Sequence, residues 1–267
     1  MAAQVERIAI SLRISANAVS VMGLGAGLLA GYFYYHQSSP AFVVAAFIAM
    51  VTWHVFDGAD GRIARSTGTT SPLGRIIDGI CDHLVFAAVY IGFALYIINT
   101  GGGSMTWVLM GAAGLSHAIQ AAAYEERRQI YQRRLKRVDR ATVTDDLFVV
   151  EGNRPALAVV YDWMQRMASG GSRKLDAALL GLETRGVPRM AIDELVTQTA
   201  PLVRRWSILN SNNRTIMLAA FALAGQPILY FIYEIMILNL VFLALFITER
   251  SLEDKLAKHA TDNYELG

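Results

Sequence analysis

The sequence predicts an all-α integral membrane protein: six transmembrane helices around a polar cavity open to the cytoplasm, with an N-terminal interfacial amphipathic helix. Three observations predict it. Hydrophobic residues make up 54% of the 267 residues and charged residues 17%, with a mean hydropathy of +0.36; soluble domains carry roughly 25% charge. Six apolar stretches approach the roughly 20 residues that cross ~30 Å of hydrocarbon. All 24 Lys and Arg residues lie at the N-terminus, between the second and third stretches, in 126–214, or after 249.

Residues 1–14 read as a short amphipathic helix, with Val5, Ile8, Ile10 and Leu12 set beside Glu6, Arg7 and Arg13. Such a helix lies on the cytoplasmic membrane surface. The six spans are expected at about 17–35, 41–57, 76–98, 105–124, 208–224 and 227–248. The fifth is the weakest, because Asn210, Asn212, Asn213 and Arg214 crowd its start. The second and third are expected to continue past the membrane as helices.

The segments 36–40, 99–104 and 225–226 contain no Lys or Arg. By the positive-inside rule both termini therefore face the cytoplasm, as in a multi-pass protein of the inner or plasma membrane if the source is bacterial. A five- or seven-span count would break this agreement. The single cysteine, Cys81, excludes an intrachain disulfide and a cysteine zinc site. No short apolar core precedes a small-residue cleavage site near the start, so the chain is expected to insert by its own spans.

The chain 1–267 reads as a single membrane domain carrying a cytoplasmic helical insertion at about 126–206. That stretch opens on Glu125-Glu126-Arg127-Arg128, followed by Arg133, Arg134, Lys136 and Arg137. Pro155 and Pro188 fit first helical turns, and Gly170, Gly171 and Gly186 fit helix stops. Leu157, Val160, Tyr161, Met164 and Met167 recur at helical spacing within 155–168. Two or three amphipathic helices lying on the membrane or capping the site are expected. A small independent domain fits less well, since ~80 residues with few aromatics would make a thin core.

The densest chemistry lies between the second and third spans. Asp57 and Asp60 are three residues apart, Asp78 and Asp82 four, so each pair shares a helix face. An ionised carboxylate in hydrocarbon costs ~2.5–3.5 kcal/mol at least. Four together call for countercharge. Two such helices side by side are the minimal construction for two divalent ions, Mg²⁺ or Mn²⁺, and metals there suggest phosphate chemistry. Gly58 and Gly61 remove side chains beside the acids, and Gly74 and Gly79 do so on the facing helix. Arg65 is always charged and forks onto phosphate oxygens.

This spacing closely resembles the CDP-alcohol phosphatidyltransferase signature, D-x2-D-G-x2-A-R-x8-G-x3-D-x3-D. Every fixed position is filled: Asp57, Asp60, Gly61, Ala64, Arg65, Gly74, Asp78 and Asp82. The resemblance implies transfer of a substituted phosphate from a CDP-linked donor to an alcohol, with release of CMP. It implies that Asp57, Asp60 and Asp78 bind metal. It further implies that Asp82 touches metal as well and serves as the base for the acceptor hydroxyl. Gly61 and Gly74 would line the cytidine and ribose site, and Arg65 and Ser71 would hold the diphosphate. Asn17 carries over from the Thr-Pro-Asn that often opens the family's first span. The resemblance further implies CDP-diacylglycerol as donor, a small polar alcohol as acceptor, membrane lipids around the site and a homodimer; nothing suggests nucleic acid as a partner.

Other polar residues admit two readings. His117, Gln120 and Tyr124 share a stripe of the fourth span and either line the acceptor pocket or hold helices together. Arg127, Arg128, Arg133 and Arg134 bind either an anionic acceptor or, the favoured reading, anionic headgroups. Glu234 lies in the sixth span, where an acid needs a partner, and either faces the cavity or pairs with a residue at a dimer interface. His54 sits one turn before Asp57 and either orients it or is structural; His83 reads as structural.

Rivals remain on the sequence alone. Thr67-Gly-Thr-Thr-Ser71-Pro-Leu-Gly74 is similar to the Ser-Ser-Pro-Leu-Gly of choline/ethanolamine phosphotransferases, which use CDP-choline or CDP-ethanolamine and a diacylglycerol acceptor. A membrane prenyltransferase would need a second acidic cluster, whereas the later spans contain Glu234 alone. A cation-binding transporter would show two related halves with interrupted helices, and no such pair is evident.

Overall fold

In the computed structural model the described residues are 1–70, 72–136 and 173–264. They are helical, with no strand among them. In chain order the elements are α1 (Ala2–Ser11), α2 (Ala16–Tyr35), α3 (Pro40–Ser66), α4 (Pro72–Asn99) and α5 (Met105–Lys136). From residue 173 onward the elements are α6 (Arg173–Thr184), α7 (Arg189–Thr197), α8 (Ala200–Trp206), α9 (Ser211–Leu223), α10 (Pro227–Ile232) and α11 (Asn239–Tyr264). A π-helical turn, Tyr233–Leu238, joins α10 to α11.

All six expected spans are helices, but four stretches are long and apolar enough to cross a membrane: Ala16–Tyr35, Pro40–Ser66, Asp78–Asn99 and Pro227–Asp262. The fourth and fifth expected spans fall short for different reasons. His117 and Gln120 lower the apolar character of α5. The 13 residues of α9 reach only about 20 Å at 1.5 Å per residue.

The chain forms two compact units. The first comprises 1–118 and 211–236. Its backbone is the close packing of α2 with α3 and α4. A Cβ on Gly92 would lie 2.2 Å from the Gly31 carbonyl oxygen, and one on Gly27 would lie 2.3 Å from Val85. Only glycine allows this approach, as in other small-residue helix contacts within membranes. Tyr34, Met50, Trp53, Phe93, Tyr230 and Phe231 fill the core.

The first unit also buries charge. Arg214 Nε lies 3.1 and 3.3 Å from the two carboxylate oxygens of Glu234, and both side chains are wholly buried. Tyr230 donates to the same carboxylate at 3.0 Å. The Tyr90 hydroxyl lies 3.3 Å from Glu234 and 3.1 Å from His117 Nδ1. The partner of Glu234 is thus Arg214, one of the four residues that made the fifth span look weak.

Helix α3 has 27 residues, about 40 Å, which exceeds the hydrocarbon thickness of ~30 Å. Its final turns carry the acidic motif, as expected. The helix stops where Gly68 adopts φ +67°, a left-handed conformation that glycine takes without strain. Helix α1 is shorter than expected. It turns at Ile14, whose N–H reaches the Ala9 carbonyl at 2.8 Å, and Ser15 caps α2 by accepting from the Ala18 N–H. Its inner residues Val5 and Ala9 pack with Ala59 and Ile63 of α3, while Ile8 and Leu12 are exposed.

The second unit comprises 119–210 and 237–267. Leu175, Leu179 and Leu182 of α6 pack with Ile192, Leu195 and Val196 of α7 and with Leu256 and Ala260 of α11. Helices α6 and α7 thus share a core with the C-terminal helix. Gly186, at φ +74°, follows the end of α6. Pro188 caps α7 from outside rather than sitting in its first turn. The expected helix at 155–168, with Pro155, Gly170 and Gly171, lies outside the described residues.

Charge pairs cross this second core. Arg127 is bonded to Glu249 at 2.9 Å and stacks 4.5 Å from the Trp206 ring. Arg134 pairs with Asp176 and Glu253, each at 2.8 Å. These two arginines are buried and face carboxylates of the protein. A cation placed against fixed carboxylates is already compensated.

Candidate active site

The site is built on facing turns of α3 and α4. The i, i+3 and i, i+4 spacings put Asp57 with Asp60 and Asp78 with Asp82 on single faces. One carboxylate oxygen each from Asp57, Asp78 and Asp82 lies within 4.8 Å of the others. All three side chains are half-buried. Asp82 is also within hydrogen-bonding reach of Asp57, and Asp60 of Asp78. Carboxylates this close do not all ionise without a cation or shared protons.

Asp60 stands slightly apart from the other three. It is 5% exposed. The Ser20 hydroxyl of α2 donates to one of its oxygens, and the Gly61 N–H donates to the other at 2.5 Å. Ser20 is one turn beyond Asn17, which is exposed on the opening turn of α2.

Arg65 lies over Gly61. A Cβ at Gly61 would meet Arg65 Nη1 at 3.3 Å, so the glycine leaves the guanidinium its place. Arg65 is exposed, and its charge reaches Asp60. Gly74 lies within α4; Ser71 lies outside the described residues.

Below the acids, His54 Nε2 meets Thr215 Oγ1 at 2.8 Å. The His117 ring packs edge-on against Phe86 at 4.2 Å, and Phe86 is one turn along α4 from Asp82. His117 is engaged by Tyr90, and Gln120, in the second unit, donates to Asn239 at 2.7 Å. Tyr124 is half-buried. Arg128 is exposed and bonded to Glu125 at 3.0 Å.

The donor set fits a divalent cation. Carboxylates from two helices converge, and hard oxygen ligands suit Mg²⁺ and Mn²⁺. The sequence reading missed Ser20. Its only signal was a hydroxyl at helical spacing from Asn17, and many serines in spans show as much.

Together these features define a class: a bundle of long apolar helices with a cluster of carboxylates where α3 and α4 face each other. The chain belongs to the CDP-alcohol phosphatidyltransferase family, whose model matches residues 13–160. Together with its apolar helices, this makes it an integral membrane protein. It is similar to an archaetidylinositol phosphate synthase of Pyrococcus horikoshii, 33% identical over 36% of this chain and 46% of that protein. It is also similar to a phosphatidylinositol phosphate synthase of Cutibacterium acnes, 37% identical over 25% of this chain and 32% of that protein. The chain thus spans less than half the length of either relative. No solved structure matches it.

Proposed function

We propose that this protein transfers a phosphatidyl group from CDP-diacylglycerol to the hydroxyl of a small polar alcohol, releasing CMP. The observation that carries the reading is the convergence of Asp57, Asp78 and Asp82 within 4.8 Å in a chain of this family. Asp57, Asp60, Asp78 and Asp82 would hold two divalent ions, Mg²⁺ or Mn²⁺. Bound there, the ions would offset the charge of the diphosphate and of the departing CMP.

The chain's own residues do the rest. Arg65, seated over Gly61, grips diphosphate oxygens through its planar fork. Gly61 and Gly74 leave room for the nucleoside, Ser71 adds a polar contact to the diphosphate, and Asn17 adds one to the CDP moiety. Asp82 accepts the acceptor's hydroxyl proton. The freed oxygen bonds to the lipid-bearing phosphorus, the bond from that phosphorus to the bridging oxygen breaks, and CMP leaves with the electron pair. An aspartate is a weak base in water, so position supplies most of the benefit.

Six spans with cytoplasmic termini would place this centre at headgroup level, where a lipid donor enters from the bilayer and a polar acceptor from water. A homodimer is the expected assembly. Both relatives' names contain a lipid inositol phosphate, which supports a lipid-linked donor and a phosphorylated polyol as the first acceptor to test.

The test is CMP release by the purified protein in lipid with Mg²⁺ or Mn²⁺ and a chelator control. CDP-diacylglycerol is offered with a panel of polar alcohols, and CDP-choline or CDP-ethanolamine with diacylglycerol. Metal-dependent release with CDP-diacylglycerol is expected. Release only from CDP-choline or CDP-ethanolamine would replace the donor, and silence with no nucleotide binding would overturn the enzyme reading.

A further inference from the structure

Helix α1 covers the motif from behind. Ala2 sits over Gly58, where a Cβ would meet the Ala2 methyl at 3.6 Å. Val5 and Ala9 pack with Ala59 and Ile63. Glu6 accepts from Arg62 Nε at 2.6 Å and from Ser66 Oγ at 2.7 Å. At 3.6 residues per turn, positions 58, 59, 62, 63 and 66 make one half of α3. Positions 57, 60, 61, 64 and 65 make the other. The signature's fixed residues on α3 are all on the second half, and every α1 contact named here is on the first.

Two arginines end this helix, and the structure separates them. Arg62 is tied to Glu6 on the back. Arg65 stands on the front over Gly61, and its charge reaches both Asp60 and Glu6. Both Glu6 oxygens are engaged by Arg62 and Ser66, which leaves the Arg65 fork directed to the front. The backbone beyond follows directly: the Thr69 N–H bonds the Ala64 carbonyl at 2.9 Å.

We propose that Glu6 is a positioning residue for the donor site. By holding Arg62 and Ser66 on the back of α3, it fixes the last turns of that helix and keeps Arg65 on the front for the diphosphate. This rests on the reading that Arg65 binds the donor.

The test uses the full-length protein in lipid with Glu6→Ala, Glu6→Gln, Arg62→Glu and the exchanged pair Glu6→Arg/Arg62→Glu. Two readouts are taken: hydrogen exchange of amides 64–70 without ligand, and KM and kcat for the CDP-linked donor. Glu6→Ala should speed exchange at 64–70 and raise the donor KM about three- to fivefold with kcat unchanged, the scale of a partly exposed ion pair. Glu6→Gln should fall between, and the exchanged pair should recover most of the loss. Unchanged exchange in Glu6→Ala, or an exchanged pair no better than its single variants, would overturn the proposal. A fall in kcat at constant KM would also overturn it. If the unaltered protein releases no CMP, the donor-site reading has failed, and the exchange and rescue results still decide whether Glu6 fixes the helix end.

Discussion

The Ser20 hydroxyl of α2 is hydrogen-bonded to the Asp60 carboxylate of α3. A helix outside the acidic signature therefore orients one of its acids. Groups that hold a ligand carboxylate typically matter 10–100-fold for metal affinity. Ser20→Ala should weaken Mn²⁺ binding about tenfold, measured by titration calorimetry, with thermal stability little changed. Ser20→Thr, which retains a hydroxyl, should restore most of the affinity.

Asp57 and Asp82 separate on different readouts. Asp57→Asn should abolish metal-dependent CMP release and weaken metal binding together. Asp82→Asn should lose turnover by about 100-fold or more, the scale of a general base, while CDP binding persists. Near-normal turnover in Asp82→Asn would remove the base assignment. Neither change should unfold the protein, because each removes a charge from a crowded cluster.

Gly61→Ala tests the seat of Arg65. The added methyl would sit 3.3 Å from the guanidinium nitrogen, so the flexible end of Arg65 must shift. Donor affinity should fall several-fold in a nucleotide-binding titration, while the melting temperature stays near that of the unaltered protein.

The Arg214–Glu234 pair gives a stability prediction. Removing one member of a buried pair leaves a naked charge and costs about 3–5 kcal/mol, whereas replacing both by apolar residues of similar volume is often neutral. Arg214→Leu should therefore lower thermal stability strongly, and Arg214→Leu/Glu234→Leu should regain much of it. Additive losses in a double-mutant cycle would show that the two residues act separately.

Acid should release α1. The Ser66 hydroxyl and the Arg62 guanidinium hold the Glu6 carboxyl below its ordinary value of 4.5. A lowered folded-state pKa contributes stability above the ordinary value and loses it as pH falls through the lowered one. The distance between spin labels at positions 2 and 58 should stay constant from pH 7 to 5 and lengthen only below 4.5. The Glu6→Gln protein should show no such transition.

Much of this was legible in the chain. Apolar run lengths located the four helices that are long and apolar enough to cross a membrane among the described residues, because a hydrocarbon slab imposes a minimum length on a span. The i, i+3 and i, i+4 spacings of Asp57, Asp60, Asp78 and Asp82 put each pair on one face, because helical geometry is local. Gly27, Gly31 and Gly92 were less legible, since a glycine shows its purpose only when a second backbone comes within contact.

By itself the sequence determined the helical membrane class, the acidic motif and the family, since each depends on composition or on residues close along the chain. Only the tertiary structure decided which long-range partners meet. It gave Asp60 to Ser20, Glu234 to Arg214, Arg127 to Glu249 and Glu6 to Arg62. The physical reason is that a polar group's role depends on what compensates it. Arg127 and Arg65 look alike in the chain, yet one faces a carboxylate 2.9 Å away and the other lies exposed over a glycine beside the acids.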